Sequence, residues 1–296
     1  MHPINNKKLS TLDQALVNKS VKELYYAILL LQEKDAILAY SDSLYVSFVD
    51  KANLKFQLGD ANIMETTVAD LQREQITLQR KELKMELERV ILQFQFILQT
   101  KDPVLPQKES IKFQLQQDQQ STLEQHPELQ VLAQQIETKQ AETKLESSKL
   151  LPTLNAGWYN QSMKEISGNR FNVVQLGIGL PIFTKGQRNL VKAAKVQEIV
   201  AQGNFELKLK ENSNKKKQWQ QQFASRQEVV QRFEQNQLNK ATALLNTAMQ
   251  QYNAGEINYL DWVILINQSL GIKSQYLNAI EKLNESTIEL DYLSIN

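Results

Sequence analysis

Cysteine is absent from the 296 residues of this sequence, and glycine, proline and aromatic residues are sparse. The lack of cysteine excludes disulfide bonds, but it fits a reducing or an oxidising compartment equally well. The formal charge is only +1, so the chain lacks the basic face that binding to nucleic acid requires. It also lacks any run of about eighteen apolar residues, which excludes a transmembrane helix.

Signatures of catalysis are missing as well. The two histidines, His2 and His126, form no metal-ligand cluster in a chain without cysteine. There is no phosphate-binding glycine loop, nucleophile elbow or zinc-protease motif. We therefore predict that the protein is not an enzyme and has no catalytic residues, cofactor or metal. The polar N-terminus has no apolar core typical of a secretory signal peptide, which taken alone favours a cytoplasmic protein.

Long segments without glycine or proline dominate the chain. They are rich in residues that favour helix, and they are far longer than the usual helix of about 10–14 residues. Their apolar residues follow alternating steps of three and four, which is typical of helices that pack side by side as in coiled coils. The clearest series are Val21, Leu24, Ile28, Leu31 and Leu38, and Tyr276, Ile280, Leu283, Thr287 and Leu290.

The segment from Pro152 to Pro181 has a different pattern. Apolar residues alternate there with small or polar ones, which is typical of β-strands. The two predicted strands of about ten residues, joined by a loop at residues 167–169, match the length of membrane-spanning barrel strands. We expect Trp158, Tyr159 and Phe171 near the strand ends, where aromatic residues of a membrane interface lie. The alternative is a small soluble hairpin that caps a helical bundle.

Two similar glycine turns lie 196 residues apart, at Gly59 and Gly255. Phe56-Gln-Leu-Gly-Asp-Ala-Asn62 aligns with Tyr252-Asn-Ala-Gly-Glu-Ile-Asn258. We predict that each glycine ends a helix and that each asparagine caps the next one, so the chain contains a duplication. By the same shift a second hairpin would precede residue 1. We therefore expect the chain to begin inside its first repeat, without that hairpin and without the signal before it.

Several motifs, in their order and spacing, resemble the TolC-like outer-membrane efflux family, and residues 21–96 are most similar to its heavy-metal branch. The motifs are His126-Pro-Glu-Leu129 with Leu150-Leu-Pro-Thr-Leu154, Leu176-Gly-Ile-Gly-Leu-Pro-Ile-Phe183 with Lys185-Gly-Gln-Arg188, and Tyr252-Asn-Ala-Gly-Glu-Ile257. They look like the family's passage from helix to strand, its passage from strand to helix, and its periplasmic turn.

The resemblance implies a mainly α fold, with long coiled-coil-like helices in a periplasmic α-barrel and one β-hairpin contributed to a trimeric outer-membrane β-barrel. Each family protomer supplies four strands, whereas this chain carries two. Three copies would supply six strands, below the smallest workable barrel of eight, so we expect an open pore to require a longer polypeptide. The implied domains are periplasmic helices of an incomplete first repeat with the helix leading into the hairpin (1–151), the outer-membrane hairpin (152–181), and periplasmic helices of the second repeat (182–296).

The implied function is that of the outer-membrane channel of a tripartite efflux system, which passively exports small solutes and, from the branch resemblance, heavy-metal cations. The implied partners are a homotrimer, a periplasmic adaptor (membrane fusion) protein, an inner-membrane resistance-nodulation-division pump and outer-membrane lipid, but no nucleic acid. The chain would lie in the outer membrane with a large periplasmic portion. The alternative is a non-conducting coiled-coil scaffold or adaptor protein. A strand pair with a small, polar face would have no function in such a protein, so this feature distinguishes the two.

The resemblance also implies functional residues. Glu65 and Asp261 would face the tunnel at its constriction, where three copies form a ring of carboxylates that favours cations; alternatively, both are solvated acids at helix starts. Ile257 stands where some family members have an arginine that locks the gate. Pro152 and Pro181 are predicted to mark bends between helix and strand. The candidates for periplasmic turns and adaptor docking, with capping and packing as alternative roles, are Phe56, Gly59, Asp60, Tyr252, Gly255 and Glu256.

Overall fold

The computed structural model describes residues 3–57, 63–102, 104–107, 110–115, 123–162 and 170–295. The helices are α1 (Pro3–Gln57), α2 (Ile63–Leu98), α3 (Pro127–Ser148), α4 (Lys185–Arg232), α5 (Leu238–Ala254) and α6 (Tyr259–Tyr292). A 3-10 turn at Leu123–Gln125 precedes α3, and a π-helix at Phe233–Gln237 joins α4 to α5. Two antiparallel strands, β1 (Thr153–Ser162) and β2 (Arg170–Gly179), form a hairpin. The predicted fold of long helices with one hairpin is confirmed.

The chain divides into two compact units. The first unit comprises the N-terminal residues up to Leu12 together with Leu123–Asn212, and the second comprises Asp13–Thr122 and Ser213–Asn296. Helices α1 and α4 therefore contribute residues to both units. Within the described ranges, no helix combines the length and the apolar character that are needed to traverse a lipid bilayer.

In the first unit, α3 and the start of α4 run antiparallel. The Nζ of Lys208 lies 2.6 Å from a carboxylate oxygen of Glu128 at the start of α3. At the other end of α3, the side-chain amide of Gln187 donates a hydrogen bond to the backbone oxygen of Glu146 at 2.8 Å. The buried His126 caps α3 by accepting a hydrogen bond from the N–H of Glu128 at 3.3 Å.

The hairpin shows the predicted alternation. Directly opposite residues share a face in an antiparallel pair, and the apolar face contains the pairs Leu154–Ile178 and Trp158–Val174. The other face carries small or polar residues at most positions, including asparagine, glutamine and glycine. The hairpin lies between Pro152, just before β1, and Pro181, just after β2, as predicted.

The prediction that Trp158 and Tyr159 lie near a strand end is wrong. They are the sixth and seventh of the ten residues of β1, whereas Phe171 is the second residue of β2 and lies near a strand end as predicted. Strand β1 continues through its polar residues because backbone pairing with β2 extends to Ser162. The side-chain amide of Asn160 donates to Asn172 across the pair at 2.7 Å. The predicted loop at residues 167–169 lies outside the described residues.

In the second unit, hydrogen bonds and ion pairs connect the helices in the order α2, α1, α6 and then α5 with the end of α4. Arg80 of α2 donates to Asp35 of α1 at 3.0 Å, and Lys34 of α1 contacts Glu281 of α6 at 2.8 Å. The hydroxyl of Ser269 in α6 donates to the backbone oxygen of Ala241 in α5 at 2.6 Å. Helix α1 therefore contacts both α2 and α6.

The interior of this unit consists of the apolar rows that the sequence predicts. Ile28 packs with Val90 and Phe94 of α2, and Ile280 packs with Leu30 of α1. Both isoleucines are fully buried. The spacing of three and four predicts the buried face of α6, where four of the five residues are buried. In α1 only Ile28 of the predicted series is buried, and the other four residues are half-buried.

Residues 110–115 are held against this interior by the buried side chain of Asn284, which is 2% exposed. Its amide donates to the backbone oxygen of Ile111 at 2.7 Å, and its oxygen accepts from the N–H of Phe113 at 2.8 Å. Nearby, Lys112 pairs with Glu234 of the π-helix, and the hydroxyl of Tyr276 donates to the same carboxylate at 2.7 Å. Burial would raise the pKa of Glu234, but the hydrogen bonds from Lys112 and Tyr276 outweigh it, and the pKa is lowered.

Replacing Asn284 by alanine is expected to lower the free energy of unfolding by about 2–4 kcal/mol. The substitution leaves a backbone N–H and a backbone oxygen without their partner, and each unsatisfied buried group costs about 1–3 kcal/mol. Asn278→Ala, at an exposed position of the same helix, gains the same helix propensity and is expected to change stability by less than about 0.5 kcal/mol. Urea unfolding followed by far-UV circular dichroism measures both variants. Equal effects would contradict the role of Asn284 in holding residues 110–115.

Candidate functional site

The turn between α5 and α6 has the predicted caps. Gly255 ends α5 with a φ of 77°, a left-handed conformation that glycine adopts without steric cost. Its N–H donates to the backbone oxygen of Tyr252 at 3.1 Å. Asn258 caps α6, because its side-chain oxygen accepts from the N–H of Asp261 at 2.9 Å. The predicted roles of Gly255 and Asn258 as helix caps are confirmed.

The matching turn between α1 and α2 is only partly described. Gly59, Asp60 and Asn62 lie outside the described residues, as does the side chain of Phe56. Helix α1 ends at Gln57 and α2 begins at Ile63. Both helix boundaries agree with the predicted position of the turn, and its caps remain a prediction.

Aromatic side chains pack beside the Gly255 turn, in a group here called the tip cluster. The ring of Phe48 stacks on Tyr259 with centroids 3.8 Å apart and on Trp262 at 5.2 Å. The ring of Tyr252 lies 5.4 Å from Phe48 and 5.5 Å from Trp262. Each aromatic pair contributes about 0.5–1.5 kcal/mol beyond the area it buries. The members of the tip cluster are Tyr45, Phe48, Tyr252, Tyr259 and Trp262.

Two hydroxyl groups of the tip cluster differ in their bonding. The hydroxyl of Tyr45 donates to the side-chain oxygen of Asn267 at 3.0 Å. The hydroxyl of Tyr259 is buried and has no hydrogen-bond partner among the described residues. Burial raises the pKa of both phenols, that of Tyr45 to about 12. The hydroxyl of Tyr259 is therefore an unsatisfied polar atom in an otherwise apolar cluster.

The two predicted constriction acids have different surroundings. Glu65, in the first turn of α2, is partly exposed. Burial raises the pKa of Tyr252 and of Tyr259, and the negative charge of Glu65 raises both further. Asp261, in the first turn of α6, is exposed to solvent. Glu65 is thus close enough to the tip cluster to influence the pKa of its tyrosines, whereas Asp261 is exposed to solvent.

The remaining candidates lie on the turn itself. Glu256 is exposed, and its N–H donates to the backbone oxygen of Gln251 at 2.9 Å, which completes the cap of α5. The ring of Tyr252 packs within the tip cluster, as the alternative interpretation of that residue expected. In the described part of the chain, no group of three or more histidine, aspartate and glutamate side chains is placed to hold a metal ion. The site is a capped turn with carboxylates on or near it.

The sequence analysis missed the core of this site. Phe48, Tyr259 and Trp262 form the stack that fixes the turn to α1, and none of them was singled out. A signal was present, since Tyr45 and Phe48 lie three residues apart, as do Tyr259 and Trp262. That spacing places two aromatic rings on one face of a helix.

Comparisons with known proteins agree with this geometry. Residues 119–293 match the family model described as outer membrane efflux protein, and no curated protein sequence matches the chain. A membrane protein from Pseudomonas aeruginosa has a similar structure, with a TM-score of 0.87 and 13% identity, over 98% of this chain and 71% of that one. The outer membrane protein VceC from Vibrio cholerae has a TM-score of 0.81 and 12% identity, over 98% of this chain and 72% of that one. CusC has a TM-score of 0.80 and 16% identity, over 99% of this chain and 71% of that one. At these identities the likeness shows a shared fold.

Replacing Tyr259 by phenylalanine is expected to raise the free energy of unfolding by up to about 1 kcal/mol. The change keeps the stacked ring and removes a buried hydroxyl whose desolvation is not compensated. Tyr45→Phe is the matched control and is expected to lower stability by about 1 kcal/mol, because it removes a satisfied hydrogen bond. Urea titrations of both variants test the contrast, and a loss of stability in Tyr259→Phe would contradict it.

Proposed function

This chain belongs to the outer membrane efflux protein family, and we propose on that premise that it is the outer-membrane channel component of a tripartite efflux system. Small solutes pass through it without chemical change. An inner-membrane resistance-nodulation-division pump supplies the energy, and a periplasmic adaptor protein connects the pump to the channel. Three copies of the chain assemble side by side, in the outer membrane with a large periplasmic portion.

The uncovered apolar face of the hairpin carries this proposal. Leu154, Trp158, Val174, Leu176 and Ile178 are between 69% and 81% exposed. Water disfavours such a continuous apolar face, whereas lipid would cover it at a gain of about 25 cal/mol per Å². A coiled-coil scaffold in water would leave this face unsatisfied. The observation therefore favours a membrane channel over the scaffold.

The edges of the hairpin support assembly with further strands. Within the described residues, the sheet consists of β1 and β2 alone, so each strand has one unpaired edge. Unpaired backbone groups cost several kcal/mol each in lipid. We therefore propose that residues 152–181 pair edge to edge with further strands in the membrane, beyond the six strands that three copies of this hairpin supply. Residues 1–151 and 182–296 are then the periplasmic helices.

The carboxylates near the turns suggest a selectivity for cations. In a threefold assembly, Glu65 and Asp261 would repeat around the axis and concentrate negative charge at a constriction. The exposure of Asp261 and the place of Glu65 beside the tip cluster support this role. Heavy-metal cations are the proposed cargo, from the resemblance of residues 21–96 to the heavy-metal branch.

Docking of the adaptor is proposed at the two turns. The candidate residues are Phe56, Gly59, Asp60, Tyr252, Gly255 and Glu256. Glu256 supports this assignment because it is exposed at the end of a turn that the tip cluster holds rigid. A rigid turn loses little conformational entropy when a partner binds.

Leu176→Lys is expected to reduce the bound fraction of the chain at least tenfold in co-sedimentation with phosphatidylethanolamine and phosphatidylglycerol vesicles. A lysine on a lipid-facing strand position costs about 2–4 kcal/mol near the bilayer centre. Gln175→Lys places the same charge on the opposite face of the same strand and is expected to bind as the original chain does. If the original chain fails to bind vesicles, or if both variants bind equally, the hairpin does not enter lipid and the scaffold is favoured.

Glu65→Gln combined with Asp261→Asn is expected to lower the ratio of cation to anion permeability severalfold in the fully assembled channel. The change removes the negative charges and keeps side chains of the same size. Glu74→Gln, at an exposed position of α2 beyond the first turns, is the control and should leave the ratio unchanged. Reversal potentials in planar bilayers under a salt gradient give this ratio, and an unchanged ratio in the double variant rejects the carboxylate ring.

A further inference from the structure

Four basic side chains form a row along the first turns of α4, here called the basic row. Its members follow one another by three, four and three positions, so that at about 100° per residue they lie within about 80° of one another around the helix. They therefore share one side of α4, over a length of about 15 Å at 1.5 Å per residue. The members of the basic row are Lys185, Arg188, Lys192 and Lys195.

The basic row has no charge partner in the part of the chain that the structure describes. All four residues are exposed, and none of them forms an ion pair with a described residue. The carboxylate of Glu146, which lies at this end of α4, already bonds to Lys149 at 2.6 Å and to the side-chain amide of Gln187 at 2.7 Å. Residues 184–197 contain four basic residues and no acidic one. Compensating charge must therefore come from outside these residues.

The stability of α4 does not explain the basic row. The first turns of a helix carry a partial positive charge, which favours acidic side chains and disfavours basic ones. The first turn of α4 has no acidic residue, and Lys185 and Arg188 are among the first four residues of the helix. These two cations weaken the helix slightly unless an anion lies beside them.

Apolar side chains lie between the basic row and the hairpin, in a group here called the apolar collar. They flank Pro152 and Pro181 and are between 61% and 97% exposed. Phe183, two residues before the basic row, is the most exposed of them. From the hairpin towards α4, the surface is thus apolar on the strands, apolar at the collar and then cationic. The members of the apolar collar are Leu151, Leu180, Ile182 and Phe183.

We propose that the basic row binds the phosphate groups of anionic phospholipids at the periplasmic surface of the membrane. The inference rests on the proposed function, because it takes the hairpin as the part of the chain that enters lipid. Basic residues next to a membrane attract anionic lipids, and long basic side chains lay their apolar stems on apolar surface while the charged ends reach the headgroups. The apolar collar beside the row supplies that surface.

The direction of α4 favours this contact. Side chains on an α-helix lean towards its N-terminal end, and the N-terminal end of α4 is the one that follows β2. The basic row therefore leans back towards the hairpin and the lipid around it. Lys185 and Arg188 lie nearest to the collar, so they are expected to contribute most, because salt screens charges beyond about 8–10 Å.

A lipid surface fits the basic row better than a soluble anion does. The four cations are spread along one exposed side of a helix, whereas a single phosphate is held by donors that converge on it. A soluble anion would also leave the apolar collar exposed to water. A phospholipid layer covers the collar and presents many phosphates to the row.

Co-sedimentation with two kinds of vesicle tests the proposal. The full chain is mixed with vesicles of phosphatidylcholine alone, or of phosphatidylcholine and phosphatidylglycerol in equal parts. The partition coefficient is expected to be at least tenfold higher for the anionic vesicles, since each basic residue beside an anionic membrane strengthens binding about fivefold. Molar salt is expected to remove this preference by screening.

Lys185→Gln combined with Arg188→Gln is expected to lower the partition coefficient for the anionic vesicles about tenfold and to leave that for the neutral vesicles unchanged. Lys215→Gln combined with Lys217→Gln is the matched control. It removes the same charge at exposed positions further along α4 and should bind as the original chain does. Circular dichroism confirms that both variants are folded. Equal losses in the two variants, or no loss in the first, would overturn the proposal.

The neutral vesicles separate the two failures. Binding to both kinds of vesicle without preference would reject the basic row as a lipid site and leave the proposed function standing. Binding to neither would reject the entry of the hairpin into lipid, and the lipid site with it. Binding to both, with a preference that the first variant abolishes, supports the two together.

A fluorescent label beside the basic row measures its depth, because the chain contains no native thiol. Gly186→Cys is suitable, since a Cβ at this position meets no atom within 4 Å. A bimane attached there is expected to be quenched more strongly by nitroxide on the lipid headgroup than by nitroxide in the middle of the acyl chain. Lys210→Cys, at an exposed position further along α4, is the control and should be quenched by neither. Equal quenching at the two positions would contradict the placement of the row at the headgroups.

Discussion

The apolar seams between helices are the interaction on which the structure depends. Among the described residues of the second unit, the buried apolar side chains form three clusters, in which α1 packs with both α2 and α6. Stability is therefore distributed along the seams, so each polar residue within a seam needs a partner of its own. Asn284 and Ser269 meet that condition with backbone oxygens of neighbouring segments.

The same constraint explains why the tip is rigid. Where a seam reaches a turn, aromatic rings replace the smaller aliphatic side chains, and Phe48 inserts between residues that flank the turn. The turn itself needs only a left-handed glycine and a capping asparagine.

Much of the fold could be predicted because its signals are local and repeated. The spacing of three and four gives the buried face of α6, and the alternation between Pro152 and Pro181 gives the two faces of the hairpin. The tip cluster could not be predicted, because Phe48 and Tyr259 meet only when α1 and α6 have been placed side by side. The prediction that Trp158 lies near a strand end was wrong for a related reason, since backbone pairing rather than side-chain polarity sets where β1 ends. The proposed roles of Glu65 and Asp261 depend on neighbouring copies, which one sequence does not describe.

The π-helix at Phe233–Gln237 has a consequence for how this chain tolerates changes of length. The N–H of Leu238 bonds to the oxygen of Phe233, so the segment holds one residue more than an α-helical turn would, and all of α5 is rotated by about 100° relative to an unbroken α-helix. The extra residue therefore changes which side of α5 faces α6. A deletion of one residue there is expected to convert the segment to α-helix. Any insertion elsewhere in α5 would instead displace the Gly255 turn by 1.5 Å per residue, and with it the height at which this protein presents its end.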